Sequence, residues 1–224
     1  IQRANNSNQA ITDFRAYLQE FDPDWLGNVG SLKRASGLKK AKPKPAGKRW
    51  LAARFELANA QYKAGHMSDA QVNVEDLITI LKGRKKSDAT AKMVADARWL
   101  MVRAYRLPRP IAGEVERGIK AARDFLTAYP DEPRAVYVAW WIAETYRIQG
   151  RADDAVVAYQ DFIAHTHHRL PTGDALLAPI ADMGTTPAKL ENQWKKEALF
   201  QVAEIRYGQK KYSEATAAWQ SYIN

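Results

Sequence analysis

Apolar positions along this chain recur at helical rather than alternating spacing, in short blocks separated by brief polar breaks. The clearest block is "AETYRIQGRADDAVVAY", residues 143 to 159, where Tyr146 precedes Gly150 and Ala155 and Tyr159 follow it. It predicts a helix, a tight break at the glycine, and a second helix with an acidic first turn. "GRADDA" (150 to 155) is echoed by "GHMSDA" (65 to 70) and "KKYSEA" (210 to 215). In each, a Ser or Asp and then an acid precede an alanine. The Ser or Asp is expected to cap free N–H groups, and the acid to complement the positive helix start. Gly65 and Gly150 suit the left-handed turn that closes a helix.

The same register extends both ways. Upstream, Leu57-Ala58, Ile142-Ala143 and Val202-Ala203 take equivalent places, where a small residue lets two helices approach closely. Downstream come Val74, Tyr159 and Trp219, then Leu77-Ile78, Phe162-Ile163 and Tyr222-Ile223. These lie at i+4, i+7 and i+8 from Ala70, Ala155 and Ala215, one buried helical stripe. A looser unit joins "ARWLMVRAY" (97 to 105) to "GIKAARDFLTAYP" (118 to 130) through a longer connector holding Pro108 and Pro110. "QAITDFRAYLQEFDP" (9 to 23) carries the second-helix pattern alone, with Ala10, Phe14, Tyr17 and Leu18 in place, so its partner helix is expected ahead of Ile1.

These residues resemble the tetratricopeptide repeat family, whose units are helix hairpins of about 34 residues. The resemblance covers most of the chain from Arg49 onward. Its best unit keeps Ile142, Ala143, Tyr146, Gly150, Ala155 and Tyr159, and lacks the family's tryptophan at Ala139 and its proline at His167. The Phe-Leu ending before "AYP" is similar to the variety found in bacterial cell-envelope proteins. The implied fold is all-α, a right-handed α-solenoid of antiparallel helix hairpins with irregular insertions at 20 to 47, 79 to 92 and 169 to 191. Residues 1–23 would be the second helix of a truncated unit, 24–48 a basic loop, and 49–224 the solenoid, with units at about 49–81, 93–130, 134–168 and 192–224. No hairpin buries its apolar face alone, so neighbours stack and leave one concave and one convex surface.

In this family certain first-helix positions face the concave groove. Carried over, they are the aromatics Phe55, Trp99, Trp140 and Phe200, then Asn59, Arg103, Glu144 and Glu204, then Tyr62, Arg106, Arg147 and Tyr207. Aromatic and Arg anchors are what tight protein contacts use. The leading expectation is a non-catalytic protein–protein interaction scaffold that binds a peptide or partner helix in this groove, as part of a larger cell-envelope protein. The competing reading of the same aromatics is packing against the neighbouring hairpin, and the sequence leaves both open. The family's chaperone-tail clamp is not expected, because Phe55 stands where its lysine belongs, although Asn59 fits. Two other roles stay in view: a helical accessory domain of a larger enzyme, and a structural subunit of a stable multi-protein assembly.

Composition narrows this further. Apolar residues make up 46% of the chain and include seven tryptophans, which marks folded material. Cysteine is absent, so disulfides and Cys-based zinc or nucleophile sites are excluded. The longest uncharged apolar stretch, Ala135 to Ala143, falls far short of the roughly 20 residues that span a bilayer. The chain opens on Ile1 with no leader and closes on Asn224 within a helical pattern, which reads as a segment of a longer protein, with the bacterial periplasm or cell envelope as the favoured compartment.

Net charge is +9, and eight positive charges come from Lys33, Arg34, Lys39, Lys40, Lys42, Lys44, Lys48 and Arg49, with no acid among them. Alternating Lys and Pro keep this stretch extended and hydrated, as a loop between helices. Its functional reading is contact with an acidic partner or an anionic surface through residues 33–49. Nucleic acid is disfavoured, since no aromatics are interleaved to stack bases.

No constellation reads as catalysis. Asp161, His165 and His168 would share a helix face, but one face seldom closes a site and structural zinc takes four ligands, so no metal is expected. Asp153 and Asp154 are adjacent, point in different directions, and are explained by the helix start. Gly-rich phosphate loops, serine-nucleophile motifs and HExxH stretches are missing, and "DMGTTP" (182 to 187) reads as a turn in a connector. Neither a cofactor nor an enzymatic activity is expected.

Overall fold

The apolar periodicity is realised as helices throughout the computed structural model, which describes residues 2–21, 47–84, 87–132, 134–164 and 187–223. Among these residues there are nine helices and no strand. They are α1 (Gln2–Phe21), α2 (Lys48–Ala64), α3 (Met67–Lys82), α4 (Asp88–Ala104), α5 (Val115–Ala128), α6 (Ala135–Ile148), α7 (Ala152–Ala164), α8 (Pro187–Gly208) and α9 (Tyr212–Ile223).

Three of the connections are the same turn. Gly65, Gly150 and Lys210 each adopt a left-handed backbone, with φ of 86°, 71° and 61°. Their N–H groups donate to the carbonyls of Tyr62, Arg147 and Tyr207 at 3.0, 3.1 and 2.9 Å. The next residues, His66, Arg151 and Lys211, donate to Gln61, Tyr146 and Arg206 at 2.8, 2.9 and 2.9 Å. Two carbonyls that the ending helix leaves open are thereby satisfied. The chain is then turned sharply enough that the second helix packs on the first, as α3 does on α2, α7 on α6 and α9 on α8.

Side-chain capping by Ser68, Asp153 and Ser213 is not what starts these second helices. The carbonyls of His66, Arg151 and Lys211 accept from the N–H groups of Ala70, Ala155 and Ala215 at 3.0, 2.9 and 3.0 Å, so only one residue separates each left-handed residue from the helix that follows. Ser68, Asp153 and Ser213 therefore lie inside the first turn, and His66, the N-cap of α3, makes no side-chain cap bond. The acids Asp69, Asp153, Asp154 and Glu214 do occupy first turns, where their negative charge complements the positive end of the helix dipole. A side-chain cap does occur at Ser87, which accepts from Thr90 N–H at the start of α4.

The chain divides into two compact units, Ile1–Tyr105 and Arg106–Asn224. In the first, α2 packs against α1 and α3, and α4 packs against α3. Its core gathers Ile11, Leu18, Leu51, Leu57, Ala58, Val74, Leu77 and Leu100. Two hydrogen bonds cross this core: Asn73 Nδ2 donates to Gln61 Oε1 at 2.9 Å, and Gln71 Nε2 to the Ala104 carbonyl at 3.2 Å. In the second unit, α6 packs against α5 and α7, α8 packs on α7, and α9 on α8. Its buried side chains include Ile119, Phe125, Val136, Ile142, Tyr146, Tyr159, Phe162 and Val202.

The alanines carried by the repeat register are sealed in both units: Ala58, Ala70, Ala143, Ala155, Ala203 and Ala215 are all fully buried. Each lies where a longer side chain would hold the paired helices apart. Burying a large apolar residue such as Phe125 contributes about 1.5–3 kcal/mol. The stripe, rather than any single contact, holds each pair closed.

Candidate functional site

The residues expected to line a groove fall into different surroundings. In the first unit, α2 carries Phe55, Asn59 and Tyr62, and α4 carries Trp99 and Arg103. Trp99 is buried, and Phe55 and Tyr62 pack partly buried against the core. The Arg103 guanidinium lies over the Tyr62 ring at 4.6 Å and over the Trp99 ring at 6.0 Å, so three expected site residues meet in one cation–π stack. Asn59 Nδ2 donates to Glu56 Oε2 at 3.4 Å on the same helix. Arg106 opens the second unit, exposed, with a left-handed φ of 59°.

In the second unit Trp140 is a packing hub. Its ring meets Tyr159 and Phe162 of α7, each at 5.5 Å between centroids, and Trp194 of α8 at 5.7 Å. Trp194 also meets Tyr137 at 5.5 Å. Beside this hub, Arg147 donates Nε and Nη2 to the two oxygens of Glu144 at 3.0 and 2.7 Å. The Tyr159 hydroxyl donates to Glu144 Oε1 in a short bond. Burial alone would raise the Glu144 carboxyl, but the bonds from Arg147 and Tyr159 and the Arg147 charge outweigh it and hold the group below its ordinary range. The Tyr159 hydroxyl is pushed up by burial first and then by its bond to this carboxylate. The bond to Glu144 raises the Arg147 guanidinium. Glu144 and Arg147 thus form a locked ion pair over a buried tyrosine.

The α8 residues are more open. Phe200 is 36% exposed and packs on Tyr222 at 5.7 Å. Tyr207 is 54% exposed and meets Tyr212 at 5.5 Å and Trp219 at 5.6 Å. Glu204 is exposed on the same helix. Phe200, Tyr207, Tyr212 and Tyr222 together give α8 and α9 an exposed aromatic surface.

Sequence reasoning passed over Trp194 and Tyr212, and it placed Tyr222 and Ile223 on a buried stripe, whereas they are 38% and 75% exposed because α9 packs closely on α8 alone among the described elements. Trp194 stands four positions before buried Ala198 and eight before Val202, so its i, i+4, i+8 spacing is the signal that could have found it. Of the basic segment, Lys48 and Arg49 are exposed in the first turn of α2. Lys33, Arg34, Lys39, Lys40, Lys42 and Lys44 lie outside the described residues, as do His165 and His168. Among the described residues no group of three or more His, Asp or Glu is placed to hold a metal ion, and no helix is long and apolar enough to cross a membrane.

No protein-family model matches the chain, and no curated protein matches it. Among solved structures, the crystal structure of BtubC (BKLC) from P. vanneervenii is similar at a TM-score of 0.44 and 9% sequence identity, over 99% of this chain and 89% of that one. A likeness at that level carries no argument about function.

Proposed function

We propose that this chain is a tetratricopeptide-like helical-repeat scaffold of the bacterial cell envelope that binds a segment of another protein through its first-helix aromatic face. The observation that carries the reading is the surface of α8 and α9, where Phe200, Tyr207, Tyr212 and Tyr222 remain exposed although each also contacts another ring of that surface. Aromatic rings supply large contact area at small conformational cost and are typical anchors of protein interfaces. The three recurring left-handed turns support the repeat reading, because the same local geometry places equivalent residues on equivalent faces. On this reading Trp140 packs on α8 through Trp194, and Phe200 and Tyr207 make the contact.

The test is a differential capture. Immobilised wild-type chain and the Phe200→Ala/Tyr207→Ala double variant are exposed to the same bacterial envelope extract, and bound proteins are quantified. Loss of a discrete partner from the variant, with unchanged far-UV circular dichroism, is the expected result. An identical set of captured proteins rejects the aromatic face.

A further inference from the structure

The described arginines of the second unit have side-chain partners, with two exceptions. Arg117, Arg134, Arg147, Arg151 and Arg206 each meet a carboxylate, and Arg123 donates to the Tyr146 hydroxyl at 3.0 Å. Arg54 shows the same habit in the first unit, buried and donating to Asp76 Oδ2 at 3.1 Å. The exceptions are Arg106 and Arg109. Both are exposed, and among the described residues neither side chain makes a hydrogen bond or an ion pair.

The two share one turn of the connector between α4 and α5, where the Arg109 N–H donates to the Arg106 carbonyl at 2.8 Å. Arg106 is held left-handed, with φ of 59°, a conformation uncommon for any residue but glycine. Leu107, between them, is buried and anchors the turn. Pro108 and Pro110 each fix a further backbone angle. A second turn follows, in which the Glu114 N–H donates to the Ile111 carbonyl at 3.0 Å and Gly113 is left-handed. The connector is thus constrained along its length, and it displays two arginines that hold nothing together within the chain.

Acid is short around them. The Arg109 charge helps to hold the Glu144 carboxyl below its ordinary range, so Arg109 lies within electrostatic reach of the Glu144–Arg147 pair. That carboxylate is already occupied: its oxygens accept from Arg147 Nε and Nη2 and from the Tyr159 hydroxyl. Glu114, at the end of the connector, ion-pairs with Arg117 at 3.3 Å. Ile111, two residues beyond Arg109, is an exposed large apolar side chain beside the unpaired charges.

We propose that this connector binds an acidic segment of a protein partner, which sets carboxylates on Arg106 and Arg109 and an apolar side chain on Ile111. The planar guanidinium matches a carboxylate with paired donors. A turn already fixed loses little freedom on binding. Ile111 favours a peptide, because a chain of phosphates would leave it bare. The surface shares no residue with the α8–α9 face, so either reading can fail while the other stands.

The experiment titrates the whole chain with acetyl-Glu-Glu-Leu-Glu-Glu-amide, its all-glutamine counterpart, free glutamate and a thymidine octanucleotide, following the amide shifts of Arg106, Arg109 and Ile111 by NMR. Saturable shifts are expected with the acidic peptide. Binding should be roughly tenfold weaker or more for the glutamine peptide and for the Arg106→Gln/Arg109→Gln variant. Neither arginine has a side-chain partner among the described residues, so that variant should keep its far-UV circular dichroism; if it does not fold, the two peptides still decide. Equal affinity for the glutamine peptide, unchanged affinity in the arginine variant, or no shift at these amides overturns the proposal. A larger loss in Lys39→Gln/Lys40→Gln/Lys42→Gln than in the arginine variant would overturn it in favour of the basic segment. Tighter binding of the octanucleotide at the same amides would overturn it in favour of nucleic acid, and free glutamate binding as tightly as the peptide would overturn a protein source.

Discussion

The α6–α7 and α8–α9 pairs carry nearly the same pattern and meet different fates. In register, Trp140 corresponds to Phe200, Tyr159 to Trp219, and Phe162 to Tyr222. In the first pair Tyr159 and Phe162 are buried, and Trp140 is boxed in by both of them and by Trp194 of the next helix. In the second, Phe200 and Tyr222 touch each other and stay more than a third exposed. Helix pairing alone half-covers such rings; the neighbour stacked on the pair makes them core. An aromatic at this position is therefore neither groove nor core by sequence, and its role depends on what packs beside it.

Truncation should separate the two fates most strongly. Trp140→Ala removes a ring that ties three helices together, and a loss of about 3–5 kcal/mol is expected in urea unfolding followed by far-UV circular dichroism. Phe200→Ala removes a partly solvated ring and should cost about 1 kcal/mol. Equal losses would dissolve the contrast. They would mean that the α8–α9 rings are as structural as those of α6–α7.

The next effect tests the polar side of the contrast. Glu144 is held by Arg147 and Tyr159. At the corresponding places of α8–α9, Glu204 is exposed and Tyr207 and Trp219 replace the arginine and the tyrosine. Because the folded state holds the Glu144 carboxyl below its ordinary value of 4.5, its contribution is present above that value. It is lost as pH falls from about 4.5 through the lower folded value. Glu144→Gln should cost on the order of 1 kcal/mol at neutral pH, and the difference from wild type should shrink on acidification. Glu204→Gln should stay within about 0.5 kcal/mol at neutral pH. A Glu144→Gln effect that does not change with pH would show that the ion pair contributes nothing beyond packing.

How far the sequence reveals all this depends on the range of the interaction. Turns and stripes are local: Gly65, Gly150 and the alanines at 58, 143 and 203 could be read directly, because a left-handed residue and a close helix approach each restrict which side chains fit. The Lys210 turn was harder to read, since the residue that suits its backbone is missing. Burial of Trp140 depends on Trp194, far along the chain, and no local pattern states it. Arg54 with Asp76 was invisible for another reason: a buried arginine looks like a surface one until its carboxylate partner is placed. A cleft lined by Ala139, Ile142 and Phe162 was legible only as a missing tryptophan at Ala139.

The smallest expected effect separates the turns from the helices they join. At Gly65 and Gly150 a β-carbon would meet nothing within 4 Å, so any cost of a side chain there is conformational. An L-residue held left-handed costs roughly 1–2 kcal/mol, and Lys210 bears that cost already. Gly150→Ala should therefore destabilise the chain by about 1 kcal/mol. Lys210→Gly should stabilise it by rather less, about 0.5 kcal/mol, because glycine also loosens the unfolded chain. For a chain of this size each kcal/mol moves the melting temperature by roughly 2–4 °C, so calorimetry resolves opposite signs. If both substitutions lower it, Lys210 is held by its neighbours rather than merely tolerated. The α8–α9 turn would then differ from the other two in energy while sharing their hydrogen bonds.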